Sequence, residues 1–276
     1  MSLGGAYVAS VGDVLSGYYN PAGLSFLGQP QATFMHSETF GSLLNHDYLA
    51  YARPMGNEGQ RAAFALSLYR VGGGGISITT VDQTGRFRVL REENHADYVG
   101  YLSYGRELAQ VLSLGITSKL VYRDIVDESA LGIGLDIGAL YRPASWAALG
   151  INLQDVPSTL LSYTTGAKQR VNPMAKIGAR LSGERGSFAA SLFADADIAF
   201  EGRDYAAQIA VGPISLDSHL GIEAVYKDKI SARAGSNIGN LTLGAGLRFN
   251  RFAVDIAMRD HSDLENTFLV SLMIPL

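Results

Sequence analysis

Alternation with a period of two runs through nearly the whole chain, and it limits the fold more than any other feature. Residues 252–259 set Phe252, Val254, Ile256 and Met258 on one face and Ala253, Asp255, Ala257 and Arg259 on the other. Residues 241–249 place Leu241, Leu243, Ala245, Leu247 and Phe249 opposite Thr242, Gly244, Gly246 and Arg248. Residues 131–142 oppose Leu131, Ile133, Leu135, Ile137 and Tyr141 to Gly132, Gly134, Asp136, Gly138 and Arg142. Extended backbone sends successive side chains to opposite faces, so each segment reads as a strand with one apolar face and one small or charged face. No stretch beyond the first thirty residues combines a helical period with helix caps. The chain is expected to be all-β.

About fourteen such segments are expected, near 31–37, 46–53, 62–71, 96–106, 111–123, 131–142, 146–154, 175–182, 187–197, 219–227, 229–236, 241–249, 252–260 and 267–275. Most run to about 8–12 residues, longer than the usual 5–6 in globular sheets and close to the 9–11 that a tilted strand needs to cross a bilayer. Their connections alternate. Tight turns are expected within 54–61, 107–110, 143–145 and 183–186, at Asp228 and at Asn250-Arg251. Longer ones are expected at 38–45, 72–95, 124–130, 155–174, 198–218 and 261–266, with 237–240 a short exception. Short turns at one end and long loops at the other are the asymmetry of outer-membrane barrels.

A soluble sandwich shows the same alternation with its apolar face inward, so other features must decide. The non-apolar faces are rich in Gly and Ala, with charges of both signs at Lys176, Arg180, Asp195, Glu223, Lys227, Arg233 and Asp255, as in a narrow charge-paired lumen. Aromatics stand near strand ends, among them Tyr69, Tyr104, Tyr122, Tyr141, Trp146, Phe188, Tyr226, Phe249, Phe252 and Phe268, where an interfacial girdle falls. Only 17% of the 276 residues are charged, 32 are Gly and none is Cys. This excludes a disulfide scaffold, a Cys-ligated metal and a disordered chain. A net charge of −4 without long basic clusters argues against nucleic acid as a partner. No apolar run is long enough for a helical membrane span.

The first thirty residues differ: small, aromatic and nearly uncharged, with a turn signal at Asn20-Pro21. Such a segment needs an apolar place to pack, and the interior of a barrel is one. Gly5-Ala6-Tyr7-Val8-Ala9, Asp13 and Tyr18-Tyr19-Asn20-Pro21-Ala22-Gly23-Leu24 resemble the N-terminal signature of the FadL-like outer-membrane barrels, most closely their PorV/PorQ branch. Internal segments 75–80, 132–141, 149–155, 219–224, 233–235 and 243–248 resemble the same branch, so the likeness spans nearly the whole chain. The resemblance implies a fourteen-stranded antiparallel transmembrane β-barrel over 31–276, with residues 1–30 folded in or under the lumen as a plug or hatch. It implies a bacterial outer-membrane location with lipid around the wall. Met1-Ser2-Leu3 shows neither the basic region nor the apolar core of a secretory leader, so a removed leader is assumed.

Catalytic chemistry is weakly represented. His36, His46, His95, His219 and His261 are scattered and lack metal-ligand spacing. Gly72-Gly73-Gly74-Gly75 is followed by no Lys-Ser or Lys-Thr of a phosphate loop. Asp195 and Asp197 share one strand face, where they are expected to pair with lumen arginines. No enzyme activity, cofactor or metal is expected. Two functions remain. A PorV-like surface platform would hold a secreted protein or surface-complex partner on its long loops, with Leu160, Leu161 and Tyr163 as contact candidates. A FadL-like transporter would pass a hydrophobic small molecule. There the resemblance makes Asn20, Pro21 and Ala22 gate or plug candidates, and Gly72, Gly73, Gly74 and Gly75 candidates for the third-strand kink that opens the wall. A structural barrel within a larger complex is a third possibility. The many charges on the inward face favour the platform at this point.

Overall fold

The computed structural model describes residues 1–56, 61–202, 207–261 and 265–276. After a short helix α1 (Ser16–Tyr19) and a 3-10 turn (Pro21–Phe26), the chain forms β1 (Gln31–Thr39), β2 (Leu44–Pro54), β3 (Ala62–Val81), β4 (Phe87–Ala109), β5 (Leu112–Ile125), β6 (Glu128–Ala144) and β7 (Ala147–Gln154). A short hairpin, β8 (Thr159–Tyr163) and β9 (Lys168–Val171), precedes β10 (Met174–Arg185) and β11 (Phe188–Ala199). Then come β12 (Ile209–Val211), β13 (Ile214–Tyr226), β14 (Ile230–Asn237), β15 (Asn240–Arg248), β16 (Ala253–Arg259) and β17 (Thr267–Pro275). Each wall strand pairs antiparallel with its neighbour. β1 closes the ring on β17, from Gln31 opposite Pro275 to Glu38 opposite Phe268. The result is a closed antiparallel barrel of 14 strands, with β8, β9 and β12 as additions at the loop end.

The alternation is inverted relative to a soluble protein. In β5, Leu112, Leu114, Ile116 and Leu120 are exposed while Ser113, Thr117 and Lys119 are buried. The same outward face appears on every side, for example at Leu102 (58% exposed), Ile133 (67%), Leu192 (54%) and Ile256 (57%). An apolar belt closed around a barrel far exceeds the few hundred Å² that soluble monomers expose, and lipid is the solvent in which such a face is stable. Pairs of outward aromatics sit by the tight turns: Phe188 and Tyr226 with centroids 4.7 Å apart, and Phe249 stacked on Phe252 at 4.6 Å.

Three loop expectations change. Residues 72–95 are mostly strand: β3 and β4 continue past the end of β2 as a two-stranded hairpin, closed at Asp82–Arg86. Its turn is fixed by Asp82 Oδ1, which accepts from Thr84 N (2.8 Å), Thr84 Oγ1 (2.6 Å) and Arg86 N (3.1 Å). The glycine run hid this, because its weak strand propensity reads as a strand end. Within 155–174, β8 pairs with the upper part of β6 and β9 with β8. Within 198–218, β12 folds onto β13; residues 203–206 of that loop, 57–60 of the first tight turn and 262–264 of the last loop lie outside the described residues.

Candidate lumenal site

Residues 1–30 lie inside the barrel, and the wall is shaped for them. Gly105, Gly115, Gly138, Gly150 and Gly178, on β4, β5, β6, β7 and β10, all face the lumen. A β-carbon on Gly115 would overlap the Pro21–Ala22 backbone, and one on Gly138 would overlap the Asn20 side chain. Further round, Gly221, Gly235 and Gly244 give the same room to Ser2, Leu3 and Gly4. The small inward face seen in the sequence is therefore a track on which a second stretch of backbone lies against the wall.

Backbone brought into a lumen needs partners for its polar groups, and wall side chains supply them. Asp195 Oδ2 accepts from Tyr7 N (2.6 Å) and Val8 N (2.8 Å). Asn152 Nδ2 donates to Tyr19 O (2.9 Å), Ser103 Oγ to Gly17 O (2.9 Å), and His219 Nδ1 lies 2.8 Å from Gly4 O. Thr242 Oγ1 accepts from Gly4 N at 3.0 Å. Asp195 thus serves the inner backbone rather than an arginine, while Asp197 pairs with Lys176 and stands 3.4 Å from His219.

Asn20, Pro21 and Ala22 sit where the segment meets β6 and β5. Asn20 is 1% exposed; its Nδ2 donates to Val8 O (2.8 Å) and to Ala139 O on β6 (3.1 Å), and its Oδ1 accepts from Ala22 N (3.2 Å). One amide therefore ties the two limbs of the segment to each other and to the wall, and caps the 3-10 turn. Pro21 occupies the first position of that turn, where its missing N–H costs nothing.

On the other side of the segment the lumen stays open. A cavity of about 710 Å³ lies between residues 1–19 and the wall from β1, β2 and β3 round through β10, β11 and β13–β17. Its lining reaches from Thr39, His46 and Asn237 at the loop end to Lys229, Leu247 and Arg248 at the turn end. Tyr7, Tyr18, Tyr19, Tyr48, Tyr69, Met35, Phe193 and Met273 give it aromatic and thioether surface. Tyr18 is the hub, with ring centroids 5.0 Å from Tyr19, 5.9 Å from Tyr48 and Tyr69, and 5.7 Å from Tyr101. Among the charges on the inward face, Arg233 lies between Glu223 (2.6 Å) and Asp255 (2.5 Å), while Arg180 stands over the Phe193 ring. Asp13, on the segment, accepts from the Tyr7 hydroxyl and from Ser16 N (3.1 Å). Burial raises its carboxyl above the ordinary aspartate value, and burial together with the Asp13 charge holds the Tyr7 phenol protonated.

Other candidates are placed apart from this cavity. At Gly72–Gly75 the β2–β3 ladder runs unbroken up to Asn45 opposite Gly72, and β3–β4 up to Gly73 opposite His95. A register shift follows before Ile76 meets Glu93, so the irregularity lies above β2 rather than as a gap in the wall. In β8, Leu160 is exposed, Leu161 is buried against Gly132 on the lumen face, and the Tyr163 hydroxyl donates to Gln169 Oε1 (2.8 Å). Lys227 is in a turn, not the lumen, and Tyr69 is in the cavity wall, not the girdle. The signal for Tyr69 was in its register, since it shares a face with Ala63, Ala65 and Ser67.

Neither a family description nor a curated protein matches the chain by sequence. Solved structures do match its fold. The Pseudomonas putida toluene transporter TodX superposes with a TM-score of 0.64 at 14% identity, covering 99% of this chain and 95% of its own. The Ralstonia pickettii toluene transporter TbuX gives 0.61 at 13%, covering 100% and 97%. A Pseudomonas aeruginosa FadL homologue gives 0.60 at 12%, covering 98% and 96%. The barrel is thus FadL-like in fold, and none of these structures is of the PorV/PorQ branch.

Proposed function

We propose that this barrel passes small hydrophobic molecules across the outer membrane, along the cavity beside its N-terminal segment. The observation that carries the reading is that cavity: it follows the inner segment between the loop and turn ends, is walled by tyrosine rings and methionines, and holds Arg233 paired between Glu223 and Asp255. Such a path suits an apolar solute better than a hydrated ion. The fold it shares with TodX, TbuX and the FadL homologue supports the same reading. In it the inner segment is a plug, Asn20-Pro21-Ala22 is the anchor about which it shifts, and Gly72–Gly75 is the point at which the long hairpin bends relative to the wall. The surface-platform reading has less support, because Leu161 is turned inward and the Tyr163 hydroxyl is already engaged.

The test is uptake of radiolabelled toluene by cells whose outer membrane carries the barrel, against cells lacking it and cells carrying Ser37→Trp, which places an indole in the cavity. Faster, saturable uptake that Ser37→Trp abolishes supports transport. Equal uptake in all three, with no binding to the purified barrel, overturns it.

A further inference from the structure

The two neighbouring turns that join β13 to β14 and β15 to β16 build a second recess at the tight-turn rim. It measures about 640 Å³ and is lined by Lys229, Ile230, Leu247 and Arg248 and by the whole turn Phe249-Asn250-Arg251-Phe252. Its parts segregate by chemistry. Ile230, Leu247, Phe249 and Phe252 are 52, 51, 51 and 39% exposed, and they occupy the outward register that carries the lipid-facing belt along β14, β15 and β16. Of the three cations, Lys229 and Arg248 hold the inward register at the mouth of the lumen cavity and Arg251 is in the turn; all are exposed, and none enters an ion pair among the described residues.

The recess is held in shape by backbone. Lys227 and Asp228 both have positive φ, 51° and 56°, the signature of a tight two-residue hairpin turn, and Lys229 N closes it on Tyr226 O (3.1 Å). Arg248 N donates to Lys229 O (2.7 Å) and Phe249 N to Phe252 O (2.7 Å), so the two turns are joined. Three unpaired cations below a stacked aromatic pair, at the level where headgroups meet acyl chains, complement a phosphodiester with hydrocarbon attached. Arg53, Arg185 and Lys227 stand on the same rim, together with Glu107, Glu184 and Asp228.

We infer that this recess is a binding site for an anionic phospholipid, the headgroup phosphate held by Lys229, Arg248 and Arg251 and the first acyl carbons laid over Ile230, Leu247, Phe249 and Phe252. Lys229, Ile230, Leu247 and Arg248 also line the turn end of the lumen cavity, so the two adjoin at the rim, and the lipid site does not depend on what the lumen carries. The test is native mass spectrometry of the detergent-purified barrel titrated with phosphatidylglycerol and, separately, with phosphatidylcholine. Phosphatidylglycerol is retained in preference, and the K229Q/R248Q/R251Q variant weakens it roughly tenfold or more, at up to about 1 kcal/mol for each cation near an anionic surface. An R53Q/R185Q variant of the same rim retains it like the parent. If heat-modifiability on a gel shows the triple variant unfolded, Arg251→Gln alone, outside the strand ladder, takes its place with a roughly threefold loss. Equal retention of the two lipids, or unchanged retention in the triple variant, overturns the site. Displacement of phosphatidylglycerol by millimolar inorganic phosphate overturns the lipid assignment and leaves a site for soluble phosphate.

Discussion

The lumen has two sectors made from the same kind of strand. From β4 to β10 the inward positions pressed against the N-terminal segment include Gly105, Gly115, Gly138, Gly150 and Gly178, where the segment comes closest to the wall. From β16 through β17 and β1 to β2 they are Asp255, Ala257, Ser271, Met273, Thr33, Met35, Ser37 and Tyr48, and their side chains face the cavity. The fold is common to both sectors; side-chain volume at the inward register decides which is filled by the N-terminal segment and which is left open.

That contrast breaks most sharply by exchanging the two kinds of surface. Gly138→Val drives a branched side chain into Asn20 and Pro21, and Gly115→Val drives one into the Pro21–Ala22 backbone. Neither site has room to relax, so plug docking should lose about 3 kcal/mol or more. Residues 1–30 of these variants should become protease-sensitive while the barrel keeps its heat-modifiable mobility. Ser37→Val, an enlargement in the open sector, should leave the plug protected. Equal sensitivity of the two classes would remove the distinction.

Asn20→Ala is the next step down. It deletes the amide that bridges Val8 O, Ala139 O and Ala22 N, leaving buried carbonyls without donors. The cost should be about 2 kcal/mol, a roughly thirtyfold rise in amide exchange confined to residues 4–24. Wall amides on β13–β17 should be unchanged. In the open sector the corresponding lever is volume: Ser37→Trp should cut uptake of an apolar solute roughly tenfold while costing only about 1 kcal/mol of stability, for the lost Ser37 Oγ bond to Phe268 O, because the indole enters space that already exists.

Much of the wall could be read from residue order, and the reason is local. A period of two with a strong outward face fixes strand, register and side at once, which is why 267–275 coincides with β17 and 241–249 is displaced from β15 by one residue. Where the pattern is interrupted the reading stopped early: the glycines at 72–75 concealed residues 72–81 of β3, and Asp155-Val156-Pro157 concealed that the chain resumes pairing at β8. The site was less legible for a different reason. An inward glycine on a strand looks the same whether it faces water, a side chain or another backbone. Likewise the charges on the inward face suggested a polar lumen until Arg233 was seen between Glu223 and Asp255. Asn20-Pro21-Ala22 could be singled out because its turn chemistry is local, whereas the tyrosine cluster assembles from the segment and three separate strands.

The smallest expected effect concerns Asp13, the one carboxylate on the plug, which faces the open sector while its hydrogen bonds go to the plug itself. Burial raises its pKa above the ordinary 3.8, opposed by the bonds from Tyr7 and Ser16. A carboxyl with a raised value binds its proton more tightly in the docked state than in the undocked one. Docking is therefore strongest at acid pH, below about 3.8. It weakens as the pH climbs from there through the raised value, and is flat beyond. Amide protection of residues 7–19 measured across that range should fall with rising pH and then level off. Asp13→Asn keeps an oxygen to accept from Ser16 N but has no proton to lose, so its protection should not vary with pH over the same window. If the parent is equally flat, the carboxyl is hydrated through the cavity, and the open sector extends behind the plug as well as beside it.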